Sequence, residues 1–258
     1  MTPPPVFLTI AGSDCSAGAG MQADLKTGCA LGCYPLTAVT CVVSESPGHV
    51  GGILPVEPAM VAEQVRECLR AFPVAAAKTG MLYSADTVCA VAEALPAGLP
   101  LVVDPVMVAT AGESLMQQQA LAAYEQRLFP RATIITPNLD ELLSLTGRQD
   151  ISTTAELEAA AHELAARVGC AVMAKGGHLP GPSCTDMLAL PGGATHTWSH
   201  PRTGGIPTHG TGCTLSAAIT AGLAKGLPLP EAVEQGLCYT ARAISSSHCW
   251  GSTYALQH

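Results

Sequence analysis

Aromatic and charged residues are both scarce in this chain of 258 residues. Only 4% of the residues are aromatic and 12% are charged, whereas 48% are hydrophobic and 26 are glycine. Side chains this small favour helices packed closely on a sheet over a β-sandwich. The length suits one large α/β domain, which we expect to cover residues 1–258.

Positive charge is also lacking. The formal net charge is −8, with 12 Lys and Arg against 20 Asp and Glu, and the chain has no basic run. This balance argues against nucleic acid or an anionic membrane as a main partner. The sequence has no signal-peptide pattern and no apolar stretch of membrane-spanning length. We therefore expect a cytoplasmic protein that binds neither nucleic acid nor membrane.

Cysteine is plentiful, but disulfide and zinc patterns are missing. The 11 cysteines are an odd number, and no two of them form a CxxC pair. No histidine lies at zinc-ligand spacing from Cys29 and Cys33, which are four residues apart. We interpret most cysteines as small buried hydrophobic residues in a reducing compartment.

Short β-branched runs alternate with longer stretches of helical periodicity. We predict buried strands at residues 6–12, 36–43, 74–80, 101–106, 132–138 and 170–177. We predict helices at residues 18–31, 58–71, 84–95, 114–128, 138–147, 153–168, 211–225 and 229–248, and a β-hairpin around Pro191-Gly192-Gly193. This alternation is typical of a mostly parallel sheet with helices on both faces.

Several predicted strands end in polar residues. In an open α/β sheet, the ligand crevice lies at the carboxyl ends of the strands. Each polar end alone is compatible with an ordinary turn, but together they favour one polar edge as the functional site. The residues concerned are Ser13-Asp14, Lys78-Thr79, Asp104, Thr136-Pro137-Asn138 and Lys175-Gly176-Gly177.

A glycine-flanked helix start lies in the run "THGTGCTLSAA", which begins at Thr208. Gly210 and Gly212 leave backbone N–H groups open at the positive end of the helix, which favours an anion or a charge that develops during reaction. A plain glycine-rich helix start is the alternative. The first-turn position predicts a depressed pKa and a thiolate for Cys213, although burial acts in the opposite direction. Cys213 and His209 are the candidates for handling a proton.

The segment "ITPNLDEL" places Asn138 and Glu141 three residues apart at another helix start. With Asp104 from the neighbouring strand end, they can organise a hydrated Mg²⁺, which takes few protein ligands and keeps several waters. A capping box fits the same spacing, and the two interpretations are compatible. Lys175 is a candidate phosphate contact, with a surface lysine as the alternative.

One run also matches a dinucleotide-binding fingerprint. Residues 18–23 fit GxGxxA, and Glu45 follows the second strand, roughly where the acidic residue of that fingerprint would lie. However, residues 12–17 separate the first strand from the motif, and Asp24 would lie awkwardly near a pyrophosphate. There is no Walker A sequence. We rank a dinucleotide oxidoreductase last among the candidate functions.

Six motifs then occur in one order, from residue 8 to about residue 225. They are "TIAGSDxSxGAGxQADLKT", "KTGML", "DPVMVA", "TPNLDE", "KGGH" and "THGTGCTLSAA". Together they resemble the hydroxymethylpyrimidine (phosphate) kinases of thiamine biosynthesis, within the ribokinase-like superfamily that also holds the pyridoxal kinases. The cysteine in GTGCT distinguishes this branch from sugar kinases, which carry aspartate there.

The resemblance implies a ribokinase-like three-layer αβα sandwich with a central, mostly parallel sheet. It implies transfer of the ATP γ-phosphate to a hydroxymethyl group on a pyrimidine, often followed by a second transfer that gives the diphosphate. It also implies a homodimer that uses ATP and Mg²⁺. The implied residues are Gly210, Gly212 and Cys213 for the anion hole, with Cys213 as the activating base; Lys175, Thr211 and Gly212 for ATP and its phosphates; Asp104, Asn138 and Glu141 for Mg²⁺; and Gly12, Asp24, Glu45, Met81, Val108 and His209 for the pyrimidine.

One residue departs from the family pattern. Members usually carry Gln where an ungapped count from Asp24 reaches Glu45. A Gln amide accepts from an exocyclic amine and donates to a ring nitrogen, whereas an ionised Glu only accepts. One unpaired buried partner typically costs about 1–3 kcal/mol. A kinase of pyridoxal-type vitamers or pyrimidine analogues is therefore the alternative, and a non-catalytic sensor of pyrimidine phosphates is a lower one.

Overall fold

A nine-stranded sheet forms the centre of the molecule. The computed structural model describes residues 2–107, 120–202 and 209–258. The strands of the sheet are β1 Val6–Asp14, β2 Tyr34–Ser46, β3 His49–Pro55, β4 Val74–Thr79, β5 Leu101–Val103, β6 Ile134–Ile135, β7 Ala171–Ala174, β8 Ser183–Ala189 and β9 Thr195–Pro201. Their order is β3-β2-β1-β4-β5-β6-β7-β8-β9. The strands from β2 to β7 in this order pair in parallel, and β3, β8 and β9 extend the two edges antiparallel.

Helices cover both faces of the sheet. They are α1 Gly20–Ala30, α2 Pro58–Ala71, α3 Ala85–Ala94, α4 Ala120–Ala123, α5 Leu139–Thr146, α6 Thr154–Val168, α7 Thr211–Ala224 and α8 Leu229–Ser245. Helices α1, α7 and α8 pack on one face, and α2 to α6 pack on the other. The predicted three-layer αβα architecture with a mostly parallel sheet is therefore confirmed.

The first strand shows why the layers form. Leu8 and Ile10 of β1 join the core beneath α2 to α6, whereas Phe7 packs with Ala221 of α7 on the opposite face. Successive side chains of a strand point to opposite faces. A strand covered on both sides therefore has an almost continuous apolar run, which is what the sequence predicts for β1.

Two helices of the α2 to α6 layer begin with capping boxes. Asn138 and Glu141 cap α5, and Thr153 and Glu156 cap α6. Each box satisfies backbone N–H groups that the first turn leaves without partners. Gly147 caps the end of α5, and its φ of 71° is the left-handed conformation that glycine adopts without strain. These local signals fix where α5 begins and ends, shortly after β6.

Three parts of the fold differ from the predicted elements. Strand β3 was not predicted, because Gly51 and Gly52 lower its strand propensity. Helix α8 ends at Ser245, and an unpredicted hairpin of β10 His248–Trp250 and β11 Thr253–Ala255 follows it. The first part of the predicted helix 114–128 lies outside the described residues, and α4 continues as a π-helical turn through Leu128.

The hairpin predicted around Pro191-Gly192-Gly193 is formed by β8 and β9. No helix in the described ranges is long and apolar enough to cross a membrane.

Candidate active site

The first turn of α7 lies against two charged side chains. Gly210 precedes the helix with a φ of 82°. A Cβ on Gly212 would lie 3.4 Å from Lys175 Nζ and 3.7 Å from Asp104 Oδ2. The structure thus brings together the glycine-flanked helix start, the end of β7 and the end of β5. A group bound at this helix start would meet an ammonium ion and a carboxylate.

The turn after β1 interlocks with the start of α7. A Cβ on Gly210 would overlap the carbonyl oxygen of Gly18, and a Cβ on Gly18 would lie 2.7 Å from the ring of His209. Glycine is required at Gly210 both for its positive φ and for this close approach. The two glycine-rich motifs of the sequence therefore form one continuous surface.

Asp104 lies at the centre of this polar edge. Its side chain is almost fully buried, and Thr136 donates to Oδ1 at 3.2 Å. Lys175 Nζ lies 3.6 Å from the same oxygen, and the Ser216 hydroxyl lies 3.2 Å from Oδ2. Ser216 was not singled out from the sequence. Ser216 lies three residues after Cys213 on the same face of α7, and this spacing is the feature of the sequence that indicates its place in the site.

Asn138 and Glu141 form the capping box that their spacing allows. Glu141 Oε2 accepts from the Asn138 backbone N–H at 2.8 Å, and Asn138 Oδ1 accepts from the Glu141 backbone N–H at 2.9 Å. Burial raises the pKa of Glu141 to about 7, although the nearby Lys175 ammonium acts in the opposite direction. Asp104 adds to the increase as a second negative charge.

These groups fit a divalent cation. Asp104 and Glu141 are two buried carboxylates, and Lys175 supplies a single positive charge near them. Buried like charges are unfavourable unless a cation compensates for them, and carboxylate oxygens are the ligands that Mg²⁺ prefers. Since the Asn138 amide oxygen is engaged in the cap, Asn138 fits the site as the residue that orients Glu141.

The Cys213 thiol is neutral at rest. Burial raises its pKa to about 12, and the Lys78 ammonium and a hydrogen bond from the Gly20 backbone N–H only partly oppose this. The predicted depressed pKa is therefore wrong. The desolvation of the charged form outweighs the helix dipole and the nearby positive charge.

Beneath Cys213 lies a fully buried ion pair. Lys78 Nζ donates to Asp24 Oδ1 at 2.5 Å, and the Thr9 hydroxyl donates to Oδ2 at 2.5 Å. Asp24 was expected to line the pyrimidine pocket. The structure instead encloses its carboxylate, because Lys78 and Thr9 occupy both of its oxygens. The sequence motifs identify Lys78 only as a strand end, although a lysine inside the apolar run "VAAAKT" indicates a buried partner.

Asp14, at the end of β1, organises the turn that precedes α1. Its carboxylate accepts from the backbone N–H groups of Ser16, Gly18 and Ala19, from the Ser16 hydroxyl, and from His209 Nε2 at 3.2 Å. Burial acts to raise the pKa of Asp14, but the hydrogen bonds from His209, Ser16 and Ala19 outweigh it and lower the pKa to about 2.

The same hydrogen bonds argue against a dinucleotide site. In the GxGxxA run, the N–H groups of Gly18 and Ala19 already bind the carboxylate of Asp14. A pyrophosphate at this turn would need those donors. The Asp14 carboxylate therefore takes the place at this turn that a pyrophosphate would need.

An apolar wall lies beside Asp14. A Cβ on Gly12 would lie 2.8 Å from Cys41 Sγ and 3.7 Å from Met81 Sδ, and Cys41, Val43 and Met81 form one buried cluster. Glu45 follows this cluster near the end of β2. Of the other residues expected here, Thr211 begins α7, and Val108 lies outside the described residues.

Comparison with known proteins gives consistent results. Residues 14–257 match the family model described as phosphomethylpyrimidine kinase. A hydroxymethylpyrimidine/phosphomethylpyrimidine kinase of Rhizobium meliloti is 41% identical over 250 residues, which cover 94% of this chain and 91% of the relative.

Two solved structures are similar over nearly the whole chain. The pyridoxal kinase of Staphylococcus aureus in complex with AMP-PCP and pyridoxal has a TM-score of 0.89 at 31% identity, covering 99% of this chain and 93% of that protein. The phosphomethylpyrimidine kinase of Clostridium difficile 630 has a TM-score of 0.79 at 34% identity, covering 93% of this chain and 99% of that protein. Both are more than 30% identical to this chain, so the similarity includes the sequence as well as the fold.

Proposed function

This chain belongs to the phosphomethylpyrimidine kinase family, and we propose that the polar edge between Asp104 and Cys213 is its phosphoryl-transfer site. The chain is an ATP-dependent, ribokinase-like kinase of thiamine biosynthesis. Its substrate is 4-amino-5-hydroxymethyl-2-methylpyrimidine, the monophosphate of that compound, or both. The observation that carries the site assignment is the convergence of Lys175 and Asp104 on Gly212 at the positive end of α7.

The residues at this edge suit a transferring phosphoryl group. Phosphoryl transfer depends mainly on positioning and on neutralisation of negative charge. The backbone N–H groups of Gly210, Gly212 and Cys213 form the anion hole, and the Lys175 ammonium binds the phosphates of ATP. Asp104 and Glu141, with Asn138 orienting Glu141, would hold Mg²⁺. When bound, that ion neutralises charge on the phosphate oxygens.

Cys213 lies where the attacking hydroxyl must lose its proton. Since the thiol is neutral at rest, it must first give its proton to solvent, and the resulting thiolate can then accept the proton of the attacking hydroxyl. The Lys78 ammonium and the Gly20 N–H are the two groups that favour this ionisation. Asp24 acts at a distance, because it holds Lys78 in place beneath the thiol.

The pyrimidine pocket lies beside this edge. Gly12 and Met81 provide a flat apolar wall for a ring, since no side chain on Gly12 fills the space next to Cys41. Glu45 and His209 provide its polar border. Val108 completes the pocket in this proposal, as the family resemblance implies.

The test is ADP release with Mg-ATP in the presence of hydroxymethylpyrimidine, its monophosphate, pyridoxine or pyridoxal, each assayed separately. Turnover of both pyrimidines is the expected result. The Cys213→Ala variant should lose about 10²–10⁴-fold in kcat and keep its affinity for the pyrimidine. A protein that binds pyrimidine phosphates and shows no turnover would instead be a sensor.

A pyridoxal-type kinase is the second candidate. The pyridoxal kinase of S. aureus matches this fold with the higher TM-score of the two structures compared. Faster turnover of pyridoxal or pyridoxine than of either pyrimidine would establish this alternative. The same assay therefore decides between the two candidates.

We also propose that residues 1–258 form one kinase domain that works as a cytoplasmic homodimer. Light scattering should then give twice the chain mass of 26.3 kDa.

A further inference from the structure

The backbone of Glu45 is hydrogen-bonded, whereas its carboxylate has no hydrogen-bond partner among the described residues. Its backbone N–H donates to Cys15 Sγ at 3.3 Å, and the Cys15 thiol donates to the Glu45 carbonyl oxygen at 3.1 Å. Within residues 2–107, 120–202 and 209–258, the hydrogen bonds of Glu45 involve its backbone alone. The backbone of Glu45 is therefore anchored at the pocket border, where no described residue forms a hydrogen bond with its carboxylate.

The nearest polar groups are already engaged elsewhere. One ligand atom each of Asp14, Glu45 and His209 lies within 4.8 Å of the other two. The ionised Asp14 carboxylate accepts from His209, so Nε2 of His209 carries the proton of that bond. Both Asp14 oxygens also accept from the turn that follows β1. These bonds leave Asp14 little capacity for a cation. Among the described residues, Glu45 is the one of the three whose side chain makes no hydrogen bond.

The surroundings of Glu45 favour its protonated form. Burial raises the pKa of Glu45, the negative charge of Asp14 raises it further, and His209 acts in the opposite direction. Among the described residues, the other titratable groups packed nearby are Cys15 in the turn after β1, Cys41 on the same strand, and His49 on β3. None of them supplies a fixed positive charge that would hold the carboxylate ionised.

A carboxylic acid and an amide have the same pairing pattern. The acid O–H donates to a ring nitrogen while its carbonyl oxygen accepts from an exocyclic amine on the adjacent carbon. An ionised carboxylate gives the same arrangement of heavy atoms only if the ring nitrogen is itself protonated. An ionised carboxylate and a neutral ring nitrogen would face each other as two acceptors.

We propose that Glu45 recognises an amino-azine edge, a ring nitrogen next to an exocyclic amine, by sharing one proton with that nitrogen, so that substrate binding takes up a proton. This inference rests on the proposed function, since it places the pyrimidine ring beside Glu45. The bound pair holds one proton whether the proton resides on the acid or on the ring. At a pH where both free partners are deprotonated, that proton must come from solvent.

The consequence is a pH-dependent affinity. Above the pKa values of free Glu45 and of the free ring, the dissociation constant should rise about tenfold per pH unit, because each binding event consumes one proton. Glu45→Gln supplies the same donor and acceptor without a proton from solvent. Its affinity for the neutral ring should be independent of pH over that range.

Calorimetry counts the proton directly. We would titrate hydroxymethylpyrimidine into the full-length protein in EDTA, at one alkaline pH, in several buffers of different ionisation enthalpy. The unmodified chain and the control Glu63→Gln, at an exposed position on α2, should each take up about one proton per ring bound. Glu45→Gln should take up none. EDTA removes any contribution from a bound cation.

Turnover separates this inference from the proposed function. Under Mg-ATP, the KM of the unmodified chain should rise about tenfold per pH unit while that of Glu45→Gln stays level. Absence of ADP release from every protein would overturn the proposed function. Turnover with no proton uptake and parallel KM profiles would overturn the role of Glu45 alone. If Glu45→Gln fails to fold, the number of protons taken up on binding by the unmodified chain and by Glu45→Ala still tests the role of Glu45.

Discussion

The ammonium of Lys78 lies 2.5 Å from the carboxylate of Asp24, and neither side chain is exposed to solvent. Residues 24 and 78 belong to α1 and β4, so the ion pair joins a helix to the sheet directly beneath Cys213. Removing one partner of a buried pair leaves an uncompensated charge, which is far more costly than the loss of a surface contact.

Lys78→Met should therefore destabilise the protein by about 3–5 kcal/mol, measured as the free energy of unfolding in urea. The matched change on the surface is Arg66→Met, which breaks the exposed pair with Glu63. That control should shift stability by no more than about 0.5 kcal/mol. Equal effects of the two substitutions would mean that the buried pair carries no special cost.

Cys213 should react slowly with iodoacetamide at neutral pH, because the thiolate is the reactive form and the pKa of Cys213 is raised to about 12. Its rate should increase about tenfold per pH unit between about pH 7 and pH 10. Peptide mapping by mass spectrometry follows each cysteine separately, with the exposed Cys238 as an internal reference. Labelling of Cys213 at the rate of Cys238 at pH 7 would contradict the neutral thiol.

Asp14 should contribute stability that is lost in acid. Its pKa falls from 3.8 when unfolded to about 2 in the fold, so its ionised form is bound more tightly by the native state. The contribution is present above the unfolded pKa and disappears as the pH falls towards 2. Between about pH 5 and pH 2, the unmodified chain should lose roughly 2 kcal/mol more than Asp14→Asn. Urea titrations at several pH values provide the comparison. If the stabilities of the two proteins changed in parallel with pH, the predicted contribution of Asp14 would be refuted.

Gly210→Ala should impair both stability and turnover. The added Cβ would overlap the Gly18 carbonyl oxygen, and the alanine would have to keep the φ of 82° that Gly210 adopts. Gly226→Ala is the control, because its φ of 81° is nearly the same and no atom lies within 4 Å of its Cβ. The strained φ alone costs about 1–2 kcal/mol. Thermal unfolding should show a clearly larger loss for Gly210→Ala, and only this variant should lower kcat.

Glu141→Gln should separate metal binding from helix capping. Burial raises the pKa of Glu141 to about 7, so its favourable contribution to folding is present below the unfolded pKa near 4.5 and is lost as the pH rises through 7. At pH 8 without Mg²⁺, the variant should be as stable as the unmodified chain or more stable, since a Gln oxygen can still accept in the cap.

The same Glu141→Gln variant should require about 10–100-fold more Mg²⁺ for half-maximal ADP release. Glu156→Gln changes the equivalent, solvent-exposed cap of α6 and should leave the Mg²⁺ requirement unchanged. A similar shift for both variants would assign the effect to capping.

The sequence was sufficient for features that depend on local patterns. The alternating elements, the hairpin around Gly192 and the capping box at Asn138 each follow from a few neighbouring residues. The meeting of Asp104 and Lys175 was also predictable, because parallel strands end at the same edge of a sheet. The resemblance to the family motifs then indicated which reaction to expect at that edge.

Other features depend on long-range packing and could not be predicted. The pairing of Asp24 with Lys78 spans 54 positions, and its burial changes the expected role of Asp24. The direction of the Cys213 pKa shift depends on how many atoms surround the thiol, which its place in a helix does not reveal. The engagement of Asp14 by a whole turn requires the left-handed conformation of Ala17, with a φ of 58°.

The bond between His209 and Asp14 joins positions 195 residues apart. A ribosome delivers β1 first and the start of α7 among the last elements, so a nascent chain completes most of its sheet before this bond can form. During that interval the N–H groups of Gly18 and Ala19 already have Asp14 as a partner, but the start of α7 with Cys213 has not yet been made. The kinase therefore cannot act on ATP until the start of α7 has been synthesised.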